Sequence, residues 1–285
     1  MASPTLEKFA PAKINLFLHV TGKRDDGYHI LDSLIGFADF GDTITIAPSY
    51  TFLLNISGDN FSPDIKDNSI TKAVHLLSDK LKIKLPLSIT LEKNIPIGGG
   101  LGGGSADAAA AVHGILEYAQ ESLSQEDIDA ILLELGADTP ICYARKPAYI
   151  KGIGEIIEPV SSLPRIPAIL VYPNEFCSTA EIFQSFDGTF SQTAEHPKSF
   201  SDQKSFYNFL QGQRNDLTEA AVKKIPEIGN ILETINAQDG CIISRLTGSG
   251  STCFGLFETP EQSANAAEKI QKEKPHWWVR PVIIS

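Results

Sequence analysis

The sequence predicts a mixed chain of strands and helices in two domains, with strands that pair antiparallel at its start. Three stretches carry that prediction. Between residues 9 and 57, apolar runs separated by turn residues read as an antiparallel meander. At Leu87, Ile89 and Leu91, apolar residues alternate with Ser88, Thr90 and Glu92, which describes a half-buried strand. The strands of a doubly wound parallel sheet are continuous apolar runs instead. Finally, the segment Pro159 to Pro167 holds three prolines, and a domain boundary is expected there. It divides the chain into residues 1–158 and 159–285.

The stretch with the most chemical content follows the alternating strand. Six of the seven residues from Gly98 to Gly104 are glycine, too many for the interior of a helix or strand. Ala106 to Ala111, interrupted by Asp107 alone, is a strong helix former. Strand, glycine loop and helix in that order point bare N–H groups and the positive end of a helix dipole at one spot. Phosphate is the guest such a spot suits. Gly98, Gly100 and Gly103 match the dinucleotide pattern G-x-G-x-x-G, but the strand before them has the wrong pattern for that fold. A Walker loop fails because no Lys follows Gly104.

Bulk charge narrows the partners. Asp and Glu number 35 against 24 Lys and Arg, a net charge of −11. That sign disfavours nucleic acid and anionic membranes, while leaving room for a local positive pocket. The opening residues Met1 to Glu7 lack a basic region followed by an apolar one, so no secretory signal is expected. No apolar run approaches the roughly 20 residues of a membrane span. Cys142, Cys177, Cys241 and Cys253 have neither C-x-x-C nor zinc spacing, and read as free thiols of a cytoplasmic protein.

Taken in order, residues 9–20 form a strand with Ile14, Leu16, Leu18 and Val20 on one face and Lys13, Asn15, Phe17 and His19 on the other. On spacing alone the Lys13 face reads first as solvated. Arg24 to Gly27 is a turn, Tyr28 and His29 flank it, and strands follow at 30–37, 39–46 and 52–57. Asp67-Asn68-Ser69 caps a helix with Ile70, Ala73, Val74, Leu77 and Leu81 on its apolar face. Ser124 starts another, stopped by Gly136. Asp138, before Thr139 and Pro140, reads equally well as a helix cap or a catalytic carboxylate.

Beyond the proline-rich boundary, Ala168–Tyr172 is a buried strand, Ser178-Thr179 opens a short helix, and residues 187–204 form a polar loop. Helical segments follow Arg214-Asn-Asp216-Leu as far as Asn236. Strands at 242–246 and 253–257 flank Thr247 to Thr252, Thr259 caps a helix with Pro260 at its first position, and residues 277–285 close the chain as a strand.

Pro11-Ala-Lys13-Ile-Asn15-Leu, the glycine loop from Pro96 to Ala106, and Thr247-Gly-Ser-Gly-Ser-Thr-Cys-Phe254 together resemble the three signature motifs of the GHMP small-molecule kinases. Asp26-Gly-Tyr28-His29, Leu135-Gly-Ala-Asp138-Thr-Pro and Arg214-Asn-Asp216-Leu resemble a branch whose substrate is a small polyol carrying a cytidine diphosphate group. The resemblance spans nearly the whole chain and reverses the bland readings of Lys13 and Asp138.

The resemblance implies an α+β, two-domain GHMP-kinase-like fold, with an N-terminal nucleotide-binding domain and a C-terminal ferredoxin-like domain. It implies ATP as phosphoryl donor with Mg²⁺, and a cytoplasmic monomer or weak homodimer. Asp138 matches the catalytic base and Lys13 its accompanying cation. Asn15, Tyr28 and His29 match substrate contacts, and Phe183 an aromatic stacked on the cytosine opposite Tyr28. Asn68 and Lys93 would flank the adenine. Pro96, Gly98, Gly99, Gly100, Leu101, Gly102, Gly103, Gly104, Ser105 and Ala106 would line the phosphates. Where the wider family often has Ser-Ser, this chain has Gly103-Gly104, so Ser105 is the substitute candidate for magnesium.

Overall fold

A computed structural model describes residues 5–58 and 68–285; the expected cap residue Asp67 lies outside them. Among the described residues the chain runs β1 (Leu6–Lys23), β2 (His29–Pro48), β3 (Leu53–Ser57), α1 (Ser69–Leu81), β4 (Leu87–Glu92), α2 (Gly103–Ala119), α3 (Gln125–Leu135) and α4 (Thr139–Ala144). Then come β5 (Ala148–Gly152), β6 (Ile156–Pro159), β7 (Ile166–Tyr172), α5 (Thr179–Gln184), α6 (Gln203–Gln211), α7 (Thr218–Lys224) and α8 (Glu227–Asn236). Last are β8 (Cys241–Leu246), β9 (Cys253–Phe257), α9 (Pro260–Glu273) and β10 (Trp278–Ile284). No helix among the described residues is long and apolar enough to cross a membrane.

Two compact units share these elements. The first holds the chain up to Ala12, Gly41–Ile97 and Gly102–Arg145; the second holds Lys13–Phe40, Gly98–Leu101 and Lys146–Ser285. Strands β1 and β2 therefore contribute to both, and the glycine loop is divided after Leu101.

In the first unit β4 is the central strand. It pairs antiparallel with Thr43–Pro48 of β2 and parallel with β3. The meander expected from the sequence stops at β2, because β3 reaches β4 through α1, and parallel neighbours need such a crossover. Helix α2 is buried at nearly every position from Ala106 to Leu116, with α1, α3 and α4 packed on it. Its small residues permit this. A Cβ on Gly114 would stand 2.6 Å from Ile46 Cδ1.

The two strands expected at 30–37 and 39–46 are one, β2, of 20 residues. Within the first unit Gly41 lets it lie against β1, where a Cβ would come 2.1 Å from the Ala10 carbonyl oxygen.

The second unit contains a β-α-β-β-α-β arrangement from β7 to β10. Its strands lie in the order β10-β7-β9-β8, all antiparallel, with α8 and α9 packed on them. That is the ferredoxin-like layout the resemblance implied. Its core joins Leu18 and Val20 of β1 to Ile169, Val171, Ile228, Ile231, Leu246, Phe257 and Trp277. Leu31–Ile35 of β2 pairs with β5, and β5 with β6. Helix α6 lies where the sequence offered only the end of a polar loop; it buries Phe206, Tyr207 and Leu210.

Candidate active site

In the second unit, three segments far apart in sequence are tied together by backbone. The Lys13 N–H donates to the Leu101 carbonyl at 2.9 Å, and the Thr252 N–H to the Gly99 carbonyl at 3.2 Å. The Asn15 N–H donates to Thr247 Oγ1 at 2.8 Å. Gly100 and Gly250 have φ of +75° and +99°, and a Cβ on Gly100 would lie 2.3 Å from the Gly250 carbonyl oxygen. Only a bare backbone allows that approach.

The face of β1 that reads as solvated is buried. Lys13 and Asn15 are 5% and 6% exposed, and Phe17 is fully enclosed. Burial obliges the polar groups to pair. Lys13 Nζ donates to Asn15 Oδ1 at 3.1 Å, Asn15 Nδ2 to Ser33 Oγ at 2.8 Å, and Ser33 Oγ to the Phe17 carbonyl at 2.5 Å. The Lys13 ammonium is thus oriented by a chain of hydrogen bonds.

Asn215 and Asp216 hold this arrangement from behind, a role that sequence reasoning missed. Asn215 Nδ2 donates to the carbonyls of Leu246 and Gly248, and its Oδ1 accepts the Leu217 N–H. Asp216 accepts the Val20 N–H at 2.8 Å and Arg214 Nε at 2.5 Å. The motif therefore clamps the Thr247–Thr252 turn and β1.

In the first unit the start of α2 is open. Its N-cap is Gly102, at φ +67°, and no side chain caps it. By contrast, Asn68 caps α1 through the Ile70 N–H and Ser124 caps α3 through the Asp127 N–H. Unclaimed N–H groups at a helix start are an anion site. The helix begins at Gly103, three residues before the alanine run, so Gly103, Gly104 and Ser105 form its first turn and Ala106 follows, buried. Ser69 Oγ braces that turn by donating to the Gly104 carbonyl at 2.9 Å.

Lys93, expected at the adenine, has its ammonium engaged elsewhere. It lies 2.5 Å from Asp42 Oδ2 and 2.8 Å from Asp107 Oδ2, and all three residues are buried. Asp42 also accepts the N–H groups of Asn94 and Ile95, which fixes the chain leading to Pro96.

Asp138 occupies the N-cap position of α4, but its side chain makes no capping hydrogen bond. Next to it, Thr139 Oγ1 is buried with no hydrogen-bond partner. A Cβ built on Gly136 would stand 3.3 Å from Thr139 Oγ1 and 3.8 Å from Ser105 Oγ, so the two hydroxyls bracket that glycine. Among the described residues no cluster of three His, Cys, Asp or Glu could hold a metal.

Back in the second unit, Tyr28 is 61% exposed at the end of a turn built on Gly27 (φ +90°) and an Arg24–Asp26 ion pair of 2.8 Å. The ring stacked with Phe183 is His29, at 5.3 Å and 26°, and Phe186 meets His29 edge-on at 5.7 Å. Burial, helped by Lys23, holds the His29 imidazole below its ordinary pKa.

Residues 68–146 match the family model for the GHMP kinases N terminal domain, and residues 199–276 the model for GHMP kinases C terminal. Fold and site define a small-molecule kinase, and the chain belongs to the GHMP kinase family. The 4-diphosphocytidyl-2-C-methyl-D-erythritol kinase of Paramagnetospirillum magneticum is 40% identical over 274 residues, covering 95% of this chain and 96% of its own. The enzyme of that name from Roseobacter denitrificans is 40% identical, covering 97% and 92%. A crystal structure of 4-(cytidine 5'-diphospho)-2C-methyl-D-erythritol kinase superposes with a TM-score of 0.83 at 27% identity, covering 98% of this chain and 99% of that one. Mevalonate kinase of Methanococcus jannaschii, at 16% identity and a TM-score of 0.69 over 99% and 98% of the two chains, shares the fold.

Proposed function

We propose that this protein transfers the terminal phosphoryl group of ATP to the 2-hydroxyl of 4-diphosphocytidyl-2-C-methyl-D-erythritol, a step of non-mevalonate isoprenoid precursor biosynthesis. The observation that carries the reading is the junction of the three motif segments through Lys13–Leu101, Asn15–Thr247 and Gly99–Thr252. Full-length relatives of that name support the choice of substrate.

Phosphoryl transfer asks for positioning and charge neutralisation more than covalent chemistry. The loop from Pro96 to Ala106 receives the triphosphate on its glycine amides and on the open start of α2. Asn68 and the Lys93 backbone flank the adenine. Asp138 accepts the proton of the substrate hydroxyl. Lys13 stabilises the negative charge that develops on that oxygen. Asn15, Tyr28, His29 and Phe183 hold the substrate, with the aromatic rings on the cytosine.

The donor set fits Mg²⁺, a cation that takes oxygen ligands and shares them with substrate phosphates. Ser105 would offer its hydroxyl to the ion, and the partnerless Thr139 Oγ1 supports a ligand beside it. Bound with the nucleotide, the ion would offset phosphate charge. The two family models lie on either side of the proline-rich segment, in keeping with a boundary between residues 1–158 and 159–285. The protein works in the cytoplasm as a monomer or weak homodimer.

A coupled ADP-release assay tests the assignment. Turnover with 4-diphosphocytidyl-2-C-methyl-D-erythritol, and little with homoserine, mevalonate or galactose, is the expected result. Preference for one of the latter three would replace it.

A further inference from the structure

Ser33 lies in none of the motif segments, yet it anchors the hydrogen-bond chain that begins at Lys13. It sits in β2 and is 1% exposed. Asn15 Nδ2 is 2.8 Å from Ser33 Oγ on one side, and the Phe17 carbonyl oxygen 2.5 Å on the other. Lys13, Asn15, Phe17 and Ser33 all belong to the second unit.

A hydroxyl has one proton to donate, and a carbonyl oxygen can only accept. The Ser33 proton therefore goes to Phe17. Toward Asn15 the hydroxyl offers lone pairs alone, so it takes an N–H. That decides which way the amide faces, a choice that shape alone makes poorly, since the two ends of an amide are nearly the same size. With Nδ2 on Ser33, Oδ1 is turned to Lys13, 3.1 Å from Nζ. The reversed amide would set an NH₂ group against an ammonium and a carbonyl oxygen against the hydroxyl's lone pairs. Both contacts would be repulsive, and in a buried place unmet polar groups cost most.

The Asn15 main chain is held separately, by its N–H on Thr247 Oγ1 at 2.8 Å. The direction of the side-chain amide is the freedom that Ser33 removes. Lys13 carries its charge on a flexible four-carbon stem, and an acceptor at a fixed point restricts where that charge sits.

We propose that Ser33 is a positioning residue for phosphoryl transfer: its hydroxyl sets the direction of the Asn15 amide, which in turn sets the place of the Lys13 ammonium. This rests on the kinase reading above, in which Lys13 stabilises charge on the substrate oxygen. Ser33 acts through Asn15, and a displaced ammonium is felt in the chemical step.

Coupled ADP-release kinetics and NMR of the Asn15 side-chain amide test this. Ser33→Ala is expected to lower kcat about 10- to 100-fold, the size of a buried hydrogen bond left unmade, with KM for ATP unchanged. Ser33→Thr, which keeps the hydroxyl, is expected to retain most of kcat. In the Lys13→Ala background Ser33→Ala is expected to cost little more, because both act on one step. The Asn15 amide protons are expected to lose their hydrogen-bonded shift in Ser33→Ala and to keep it in Ser33→Thr. Should Ser33→Ala not fold, Ser33→Cys, close in size but a weak donor and acceptor, takes its place with the same expected results. Full kcat in the folded variant overturns the proposal. So does an equal loss with and without Lys13, which marks a role in the fold alone, and so does an Asn15 amide that the variant leaves unmoved. Wild-type protein that shows the hydrogen-bonded amide but does not turn over the diphosphocytidyl substrate overturns the proposed function, and the part of Ser33 in it, while leaving the geometry standing.

Discussion

Lys93 Nζ lies 2.8 Å from Asp107 Oδ2, joining the end of β4 to the first turns of α2 across the loop between them. Asp42 Oδ2 is the ammonium's second partner at 2.5 Å. Two carboxylates and one cation leave a surplus negative charge in a buried place. Asp42 absorbs its share through the N–H groups of Asn94 and Ile95. Asp107 Oδ1 has no partner, so the surplus falls on Asp107. Burial pushes that carboxyl up to about 7, with Lys93 opposing the rise and Asp42 adding to it.

The sign of the pH dependence follows. An unfolded Asp titrates near about 4, and folded Asp107 holds its proton up to about 7. Its contribution to stability is full below about pH 4 and is lost as pH rises through about 7. Asp107→Asn is expected to flatten that dependence, read as urea midpoints at pH 5 and pH 8. An unaltered difference between the two midpoints would mean that Asp107 is ionised throughout. Lys93→Ala leaves two buried carboxylates without a cation and is expected to cost about 3–5 kcal/mol.

The loop glycines divide by what a Cβ would meet. Gly100→Ala drives a methyl into the Gly250 carbonyl at a positive φ, so both stability and affinity for a non-hydrolysable ATP analogue are expected to fall. Gly104 has open space within 4 Å and no positive φ. Gly104→Ala is expected to raise thermal stability slightly, since it replaces Gly in a helix, and to weaken the nucleotide alone. Unchanged nucleotide affinity in both variants would move the phosphate site off this loop.

Periodicity and caps made most elements legible: Asn68, Ser124, Ser178 and Thr259 all begin helices where the sequence placed them. What stayed hidden were contacts between distant residues. Alternation in β1 could not reveal that Arg245 would reach the Leu16 carbonyl, or that Thr247 would cover Asn15. The parallel pairing of β3 with β4 depends on α1, not on anything within β3. Helix α6 follows a polar loop and has a capping box, Asp202 with Ser205, made of residues that equally suit loops. At the site, the glycine loop stood out by its composition and its place between strand and helix, and Lys13 and Asn15 through the family resemblance. Asp42 and Ser33 carry no local signature, because their parts depend on groups brought near by folding.

The carboxylate of Asp138 makes no capping hydrogen bond to α4. Asp138→Asn, which keeps the shape of the side chain, is expected to fold and to lower kcat by about two orders of magnitude or more. Near-normal turnover in a folded variant would place the base elsewhere.

The aromatic group around His29 bears on substrate choice. The reacting end of the proposed substrate is a small polyol with little surface to recognise, whereas the cytidine offers a flat ring whose binding can orient the distant hydroxyl. Phe183 and His29 are already stacked on each other, while Tyr28 stands exposed at the end of its turn. Tyr28→Ala therefore removes a ring that does little for the fold. It is expected to weaken the diphosphocytidyl substrate by on the order of 1–3 kcal/mol, as for base–aromatic stacking, with no change for ATP. Phe183→Ala should weaken the same substrate and also free His29, whose pKa should then rise toward its ordinary value by NMR titration. 2-C-methylerythritol 4-phosphate, which lacks the cytidine, is expected to turn over very poorly. If it matched the full substrate in kcat/KM, these rings would not be reading a base, and the chain would be a kinase for a different polyol.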